Sequence, residues 1–159
     1  MMDGMPIAAD PLGEVRLRAV TEDDLPIFFE HQRDPVANRM AAFPPRERDA
    51  FMTHWGSILR DASGVVRTIE LDGDVAGNVC LFGFEGRREV GYWIGREFWG
   101  RGVATRALSA FLHEVEERPI HAGVAETNVA SIRVLEKCGF TAVETGDEEH
   151  AGEVLLRLG

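Results

Sequence analysis

The residues of this sequence best suited to chemistry are Trp99-Gly100-Arg101-Gly102-Val103-Ala104-Thr105. Gly100 and Gly102 let the backbone approach an anion closely, and Arg101 with Arg106 adds cationic charge at the rim. From there Ala104, Ala107, Leu108, Phe111, Leu112 and Val115 recur at helical spacing until Pro119 closes the segment. The glycines therefore stand at the start of a helix, where unpaired amides and the positive end of the helix dipole converge. Such a point attracts a phosphate. Glycines alone do not say which anion, and in a plainer reading Gly100 and Gly102 only form the turn. Two common nucleotide motifs are excluded by content. No Lys-Ser or Lys-Thr pair follows the second glycine, and the third glycine and parallel β-α-β start of a dinucleotide fingerprint are missing.

The elements that must position this turn can be read from hydrophobic period and punctuation. Residues 15–19 alternate as a strand, and Thr21 to Asp24 has capping-box spacing ahead of a helix reaching about Arg33. Asp34-Pro35 ends that helix, and a second one after Pro44-Pro45 places Phe51, Trp55, Ile58 and Leu59 on one face. Residues 65–71 and 75–82 read as a hairpin about Asp72-Gly73, and residues 88–94 continue the meander. After the glycine-turn helix come a short strand at 119–125 and a helix from Asn128 to Cys138, with Gly139 at its C-terminal cap and Phe140 beside it. Two strands, 140–144 and 153–158, finish the chain. The order β-α-α-β-β-β-α-β-α-β-β predicts an α/β (α+β) domain: a mixed, mostly antiparallel sheet of about seven strands flanked by four helices.

Bulk composition agrees with one domain. The 159 residues, 45% of them hydrophobic, suit a single core over residues 13–159 after a disordered tail at 1–12. Twenty-seven acidic against seventeen basic side chains give a net charge of -10, which argues against nucleic acid or an anionic membrane surface as the partner and would welcome a cation. With no membrane-length apolar run and no signal-like start, the protein is predicted to be cytoplasmic. Cys80 and Cys138 lack metal-ligand spacing, so they read as reduced, buried thiols and no metal is expected.

The glycine turn resembles motif A of the GNAT superfamily of N-acetyltransferases, whose Gln/Arg-x-x-Gly-x-Gly/Ala pattern is matched at Gly102 and Ala104 but departs at Trp99. That departure, with Glu89-Val90-Gly91-Tyr92-Trp93-Ile94 upstream, is similar to the Rim-type branch, which acetylates ribosomal-protein N-termini. Asn128-x-x-Ser131-x-x-Val134-Leu135-Glu136-Lys137-Cys138-Gly139-Phe140 resembles motif B. The two motifs span residues 88–140, and the element order extends the likeness back to Val15. The resemblance implies a GNAT fold splayed between strands 4 and 5, with acetyl-CoA as cosubstrate. Its pyrophosphate would sit on the amides of the turn, among Trp99, Gly100, Arg101, Gly102, Val103, Ala104 and Thr105. Its pantetheine would pair like an extra strand with Trp93 and Ile94, near Asn128 and Ser131. The acceptor implied is a primary amine of a protein N-terminus or a small molecule; dimers are common among relatives, so the resemblance admits a homodimer, though no residue demonstrates one.

An amine attacks a thioester only when neutral, so a base, a thiolate proton donor and an oxyanion donor are sought. Backbone near Ile94 is the implied oxyanion donor. Many family members place an acid tyrosine where this chain has Leu135, and some Rim-type members place a glutamate where it has Gly123. Ser131 is the remaining candidate for the thiolate, and Glu89 and Glu126 are the candidate bases, with Glu89 favoured. Capping of the helix by Asn128 and Ser131, and solvated strand-end roles for both glutamates, are the plainer readings. His31, His54, Trp55 and Phe43 fall in the region that shapes an acceptor pocket, where a surface role for His54 and a core role for Trp55 are the simpler ones. The acidic run 147–150 reads as a solvated turn. A non-catalytic acyl-CoA-binding or sensor module is the rival that the two missing catalytic positions sustain.

Overall fold

The computed structural model describes residues 13–143 and 152–159. The tail expected at 1–12 and the acidic turn at 147–150 lie outside those residues. Among the described residues seven strands form one sheet, β1 (Val15–Arg18), β2 (Val65–Leu71), β3 (Asp74–Phe84), β4 (Arg87–Ile94), β5 (Ile120–Ala125), β6 (Thr141–Val143) and β7 (Glu153–Leu158), in the order β1-β2-β3-β4-β5-β7-β6. Every neighbouring pair is antiparallel except β4 with β5. The β2–β3 turn carries positive φ at both Asp72 (52°) and Gly73 (87°), as the Asp-Gly pair predicts. β4 and β5 meet in register only where Glu89 lies opposite His121, and beyond that pair the strands diverge. This is the splay expected between strands 4 and 5.

Five α-helices flank the sheet among the described residues, one more than the sequence reading gave: α1 (Leu25–Gln32), α2 (Pro35–Ala41), α3 (Arg48–Arg60), α4 (Val103–Glu114) and α5 (Val129–Lys137). The addition is α2. Asp34-Pro35 does end α1, but the same pair starts another helix, because the Asp34 carboxylate accepts from the Val36 amide at 3.0 Å and the fixed φ of Pro35 suits the first helical position. On α3 Phe51 and Trp55 are buried, whereas Leu59 is 40% exposed. Eight residues beyond Phe51, it has rotated roughly 80° off that face.

Alternation along the strands divides the core in two. Ile69, Leu71, Val79, Leu81 and Val90 point toward α4 and α5, where they bury Leu108, Phe111 and Leu135. Val66, Val75 and Cys80 face the other way, against Phe28, Phe51 and Trp55 of α1 and α3. Burial of each large side chain stabilises the fold by about 1.5–3 kcal/mol. A polar knot ties α1 to the sheet: the buried Asp24 carboxylate accepts from Arg18 at 2.8 Å, from the Thr21 amide at 2.9 Å and from Thr68 Oγ1 at 2.8 Å. Burial works against its ionisation, yet these donors outweigh it and hold the carboxyl down at about 2. The cysteines are free but only half-buried, less enclosed than their apolar sequence contexts suggest.

Candidate active site

The turn before α4 has the geometry that an anion needs. Gly100 (φ 76°) and Gly102 (φ 70°) both adopt left-handed conformations, and among the described residues, chain neighbours aside, nothing lies within 4 Å of where a Gly100 Cβ would be. The first helical bond runs from the Arg106 amide to the Gly102 carbonyl, so the amides of Val103, Ala104 and Thr105 precede the intrahelical ladder. The Arg106 guanidinium donates to the carbonyls of Gly13 (2.6 Å), Arg101 (2.8 Å) and Gly102 (3.3 Å), which keeps its charge beside the turn while its N–H groups hold the loop. Trp99, where the family pattern has Gln or Arg, donates its indole N–H to the Ile94 carbonyl at 2.9 Å and so fastens the turn to the end of β4.

A cavity of about 370 Å³ opens from this turn along α5. Of the predicted coenzyme residues, Trp93, Ile94, Trp99, Gly100, Gly102, Val103, Ala104, Thr105, Asn128 and Ser131 line it, and only Arg101 does not. Ala37, Met40 and Ala41 of α2 form its far wall, a contribution invisible until α2 was. At the start of α5 the Asn128 side-chain Oδ1 accepts from the Ser131 amide at 3.3 Å, so Asn128 does cap the helix. The Ser131 hydroxyl is engaged elsewhere, 2.6 Å from the phenol oxygen of Tyr92. The α5 end is closed by Gly139 (φ 99°), with amides of Gly139 and Phe140 bonded back to the carbonyls of Glu136 and Leu135.

A second, larger cavity of about 1170 Å³ lies on the opposite face of the sheet. Phe43, His54, Arg87, Glu89, Gly123 and Glu153 line it, and it shares Ala41, Tyr92, Trp93, Asn128 and Ser131 with the first. The two cavities thus meet at the splay. Glu89 is 6% exposed and accepts from Arg87 Nε at 2.8 Å. Burial, abetted by Glu85 and Glu153, lifts its carboxyl above the ordinary range despite the Arg87 cation. A Cβ at Gly123 would stand 3.7 Å from Glu89 Oε1. The carboxylate from β4 therefore lies beside Gly123, the position at which the resemblance implies a glutamate in some Rim-type enzymes. The structure separates the two candidate bases, because Glu126 is exposed beyond β5 and lines neither cavity.

Phe43 packs edge-on against Trp93, with ring centroids 5.9 Å apart, and the Trp93 indole donates to the His31 carbonyl at 3.2 Å. His31 itself is buried between α1 and the Gly95 backbone, where burial lowers its pKa, and it reaches neither cavity. Sequence reasoning missed Tyr92 as a site residue. Its signal was available: it is the one tyrosine in the chain, and it alternates with Glu89 on β4 so that the two project to opposite faces.

The arrangement thus places a helix-start glycine turn on one side of a splayed β4–β5 pair and a large cleft with a buried carboxylate on the other. A family model for the acetyltransferase (GNAT) domain matches residues 14–141, and the chain belongs to that family. The Bacillus subtilis protein YdaF, which carries a provisional ribosomal N-acetyltransferase assignment, is 28% identical over 100 residues, 58% of this chain and 55% of its own. The chain thus spans about half the length of that curated relative. Among solved structures it resembles RimL, an N-terminal acetyltransferase of ribosomal L7/L12 in complex with coenzyme A (TM-score 0.74, 18% identity, 91% of this chain and 93% of that one). It also resembles the spermidine N-acetyltransferase of Vibrio cholerae in complex with CoA and spermine (TM-score 0.75, 20% identity, 90% and 92%). At these identities the structural likeness speaks to the fold.

Proposed function

We propose that this chain transfers an acetyl group directly from acetyl-CoA to a primary amine, and that the amine is the N-terminus of a protein. The observation that carries the reading is the meeting of two cavities at the splay, one against the amides at the start of α4 and one against Glu89. The residues fit the coenzyme: the α4 amides face a pyrophosphate, and the apolar cavity along Ile94, Val134 and α2 suits a pantetheine arm. That donor supplies the thioester carbon, and everything else is done by the chain. Glu89 takes the proton from the attacking nitrogen, backbone near Ile94 steadies the oxyanion, and Ser131 faces the departing sulfur. No covalent enzyme intermediate is required. An α-amine, with a reference pKa of about 7.7–8.0 against about 10.4 for lysine, needs only modest help from such a base.

The cleft argues for a polymer acceptor. At about 1170 Å³ it exceeds the roughly 300–1,000 Å³ that small ligands fill, and it runs open along the sheet from Phe84 to Glu153. The test is thiol release from acetyl-CoA across a panel of peptides with varied N-termini beside spermidine, spermine and free amino acids. Peptides are expected to turn over at least about tenfold faster in kcat/KM, a transition-state preference of about 1.4 kcal/mol. Faster turnover of the polyamines would transfer the assignment to a small-molecule acceptor. Tight binding of acetyl-CoA with no thiol release on any amine would identify a sensor module instead.

A further inference from the structure

Acetyl transfer leaves a thiolate that must gain a proton, and the position from which many family members supply it holds Leu135, which is 1% exposed inside the core. We propose that Tyr92 is the proton source for the departing thiolate, passing its proton on through the Ser131 hydroxyl. The inference rests on the acetyl-transfer reading above.

Three observations carry it. Tyr92 stands at the junction of the two cavities, lining both. Its phenol oxygen is 2.6 Å from Ser131 Oγ and 3.3 Å from the Ser131 carbonyl, so one α5 residue fixes the hydroxyl from two sides. An isolated serine hydroxyl is also a poor acid for this task, since an alkyl alcohol is far weaker than a thiol of pKa about 8.5, whereas a phenol remains the stronger acid of the two hydroxyls even when burial raises it. A serine that receives a proton as it gives one escapes that limit. Burial pushes the Tyr92 phenol up to about 12, which keeps it protonated over the working range.

The step balances. The nitrogen lone pair forms the new C–N bond, the C–S pair departs on sulfur, sulfur takes the Ser131 proton and Ser131 takes that of Tyr92. The proton released by nitrogen goes to Glu89, and the phenolate and carboxylic acid exchange with water through the open cleft. The other titratable group that acts on Tyr92 is the Cys138 thiol at the end of α5, while Glu89 projects from the other face of the same strand.

Because Tyr92 is the sole tyrosine, biosynthetic replacement of tyrosine by a trifluorotyrosine alters this phenol alone, making it more acidic at nearly constant shape. The native alkaline decline of kcat is expected near pH 12, outside the usable range, and the fluorinated enzyme should bring a decline into it. Cys138→Ala in the fluorinated background should leave that decline in place. Tyr92→Phe should lower kcat by about 100-fold or more, with the acetyl-CoA thermal shift retained. A near-native kcat for Tyr92→Phe, an unmoved profile in the fluorinated enzyme, or a decline abolished by Cys138→Ala would overturn the proposal. Native protein that releases no thiol with any amine would remove the transfer reading itself, and this inference with it.

Discussion

The two faces of the sheet solve different problems with different means. On the face proposed for the coenzyme an apolar core closes over α4 and α5, and the glycine turn is a run of adjacent residues whose backbone would do the binding. On the acceptor face three aromatic residues and the Asp24 knot hold α1 and α3 in place, and the cleft beyond them is assembled from β3, β4, β5, β7 and the α2–α3 loop. Binding by backbone needs a local conformation; a positioned side chain needs distant elements to converge. The first face is thus robust to sequence distance, and the second depends on how the sheet is laid out.

Substitutions should separate the two faces. Gly102→Glu combines a left-handed backbone with a carboxylate at the positive end of α4. The strain of about 1–2 kcal/mol and the repulsion of up to about 2 kcal/mol should weaken acetyl-CoA binding by about 100-fold or more, read as loss of its thermal shift. Retained affinity would mean that the turn does not hold the pyrophosphate. Glu89→Gln should instead leave coenzyme affinity intact and cut kcat/KM by about 100-fold. Its pH profile offers a finer reading. A base works only when ionised, so activity should rise with pH through a limb displaced above the usual carboxylate range, and Arg87→Ala should push that limb higher by removing the cation that opposes burial.

Asp24→Ala should destabilise the acceptor face by about 3 kcal/mol, seen as a lower denaturant midpoint, because it leaves Arg18 and Thr68 without their shared acceptor. The sign with pH follows from the depressed carboxyl. The stabilisation from ionised Asp24 is present above its ordinary value of 3.8 and is lost as pH falls through about 2, so the gap between native and variant should shrink over that interval. Arg106→Ala is the mildest change. By releasing the carbonyls of Gly13, Arg101 and Gly102 it should raise the acetyl-CoA Kd about fivefold, near 1 kcal/mol, with kcat little altered. A larger effect on kcat than on Kd would place Arg106 in the chemistry.

Most of the sheet was legible because its signals are local. Asp72-Gly73 dictated a hairpin, strand alternation divided the two cores, and Gly139-Phe140 announced the end of α5. α2 was misread because Asp34-Pro35 carries both a stop and a start signal, and the helix it opens is only seven residues long. Tyr92 was overlooked because the contact that singles it out, with Ser131, spans 39 residues of sequence.

The sequence by itself determined the glycine turn at Gly100 and Gly102 and the capped helix at Asn128, since both are conformations of contiguous residues written in glycine positions, cap residues and apolar period. Only the tertiary structure distinguished the surroundings of the two carboxylates, burying Glu89 beside Gly123 and leaving Glu126 exposed, and brought the Tyr92 phenol to the Ser131 hydroxyl. The reason is physical. Acid–base chemistry depends on burial and on neighbours across strands, and those are set by sheet order and register, which no local stretch of sequence encodes.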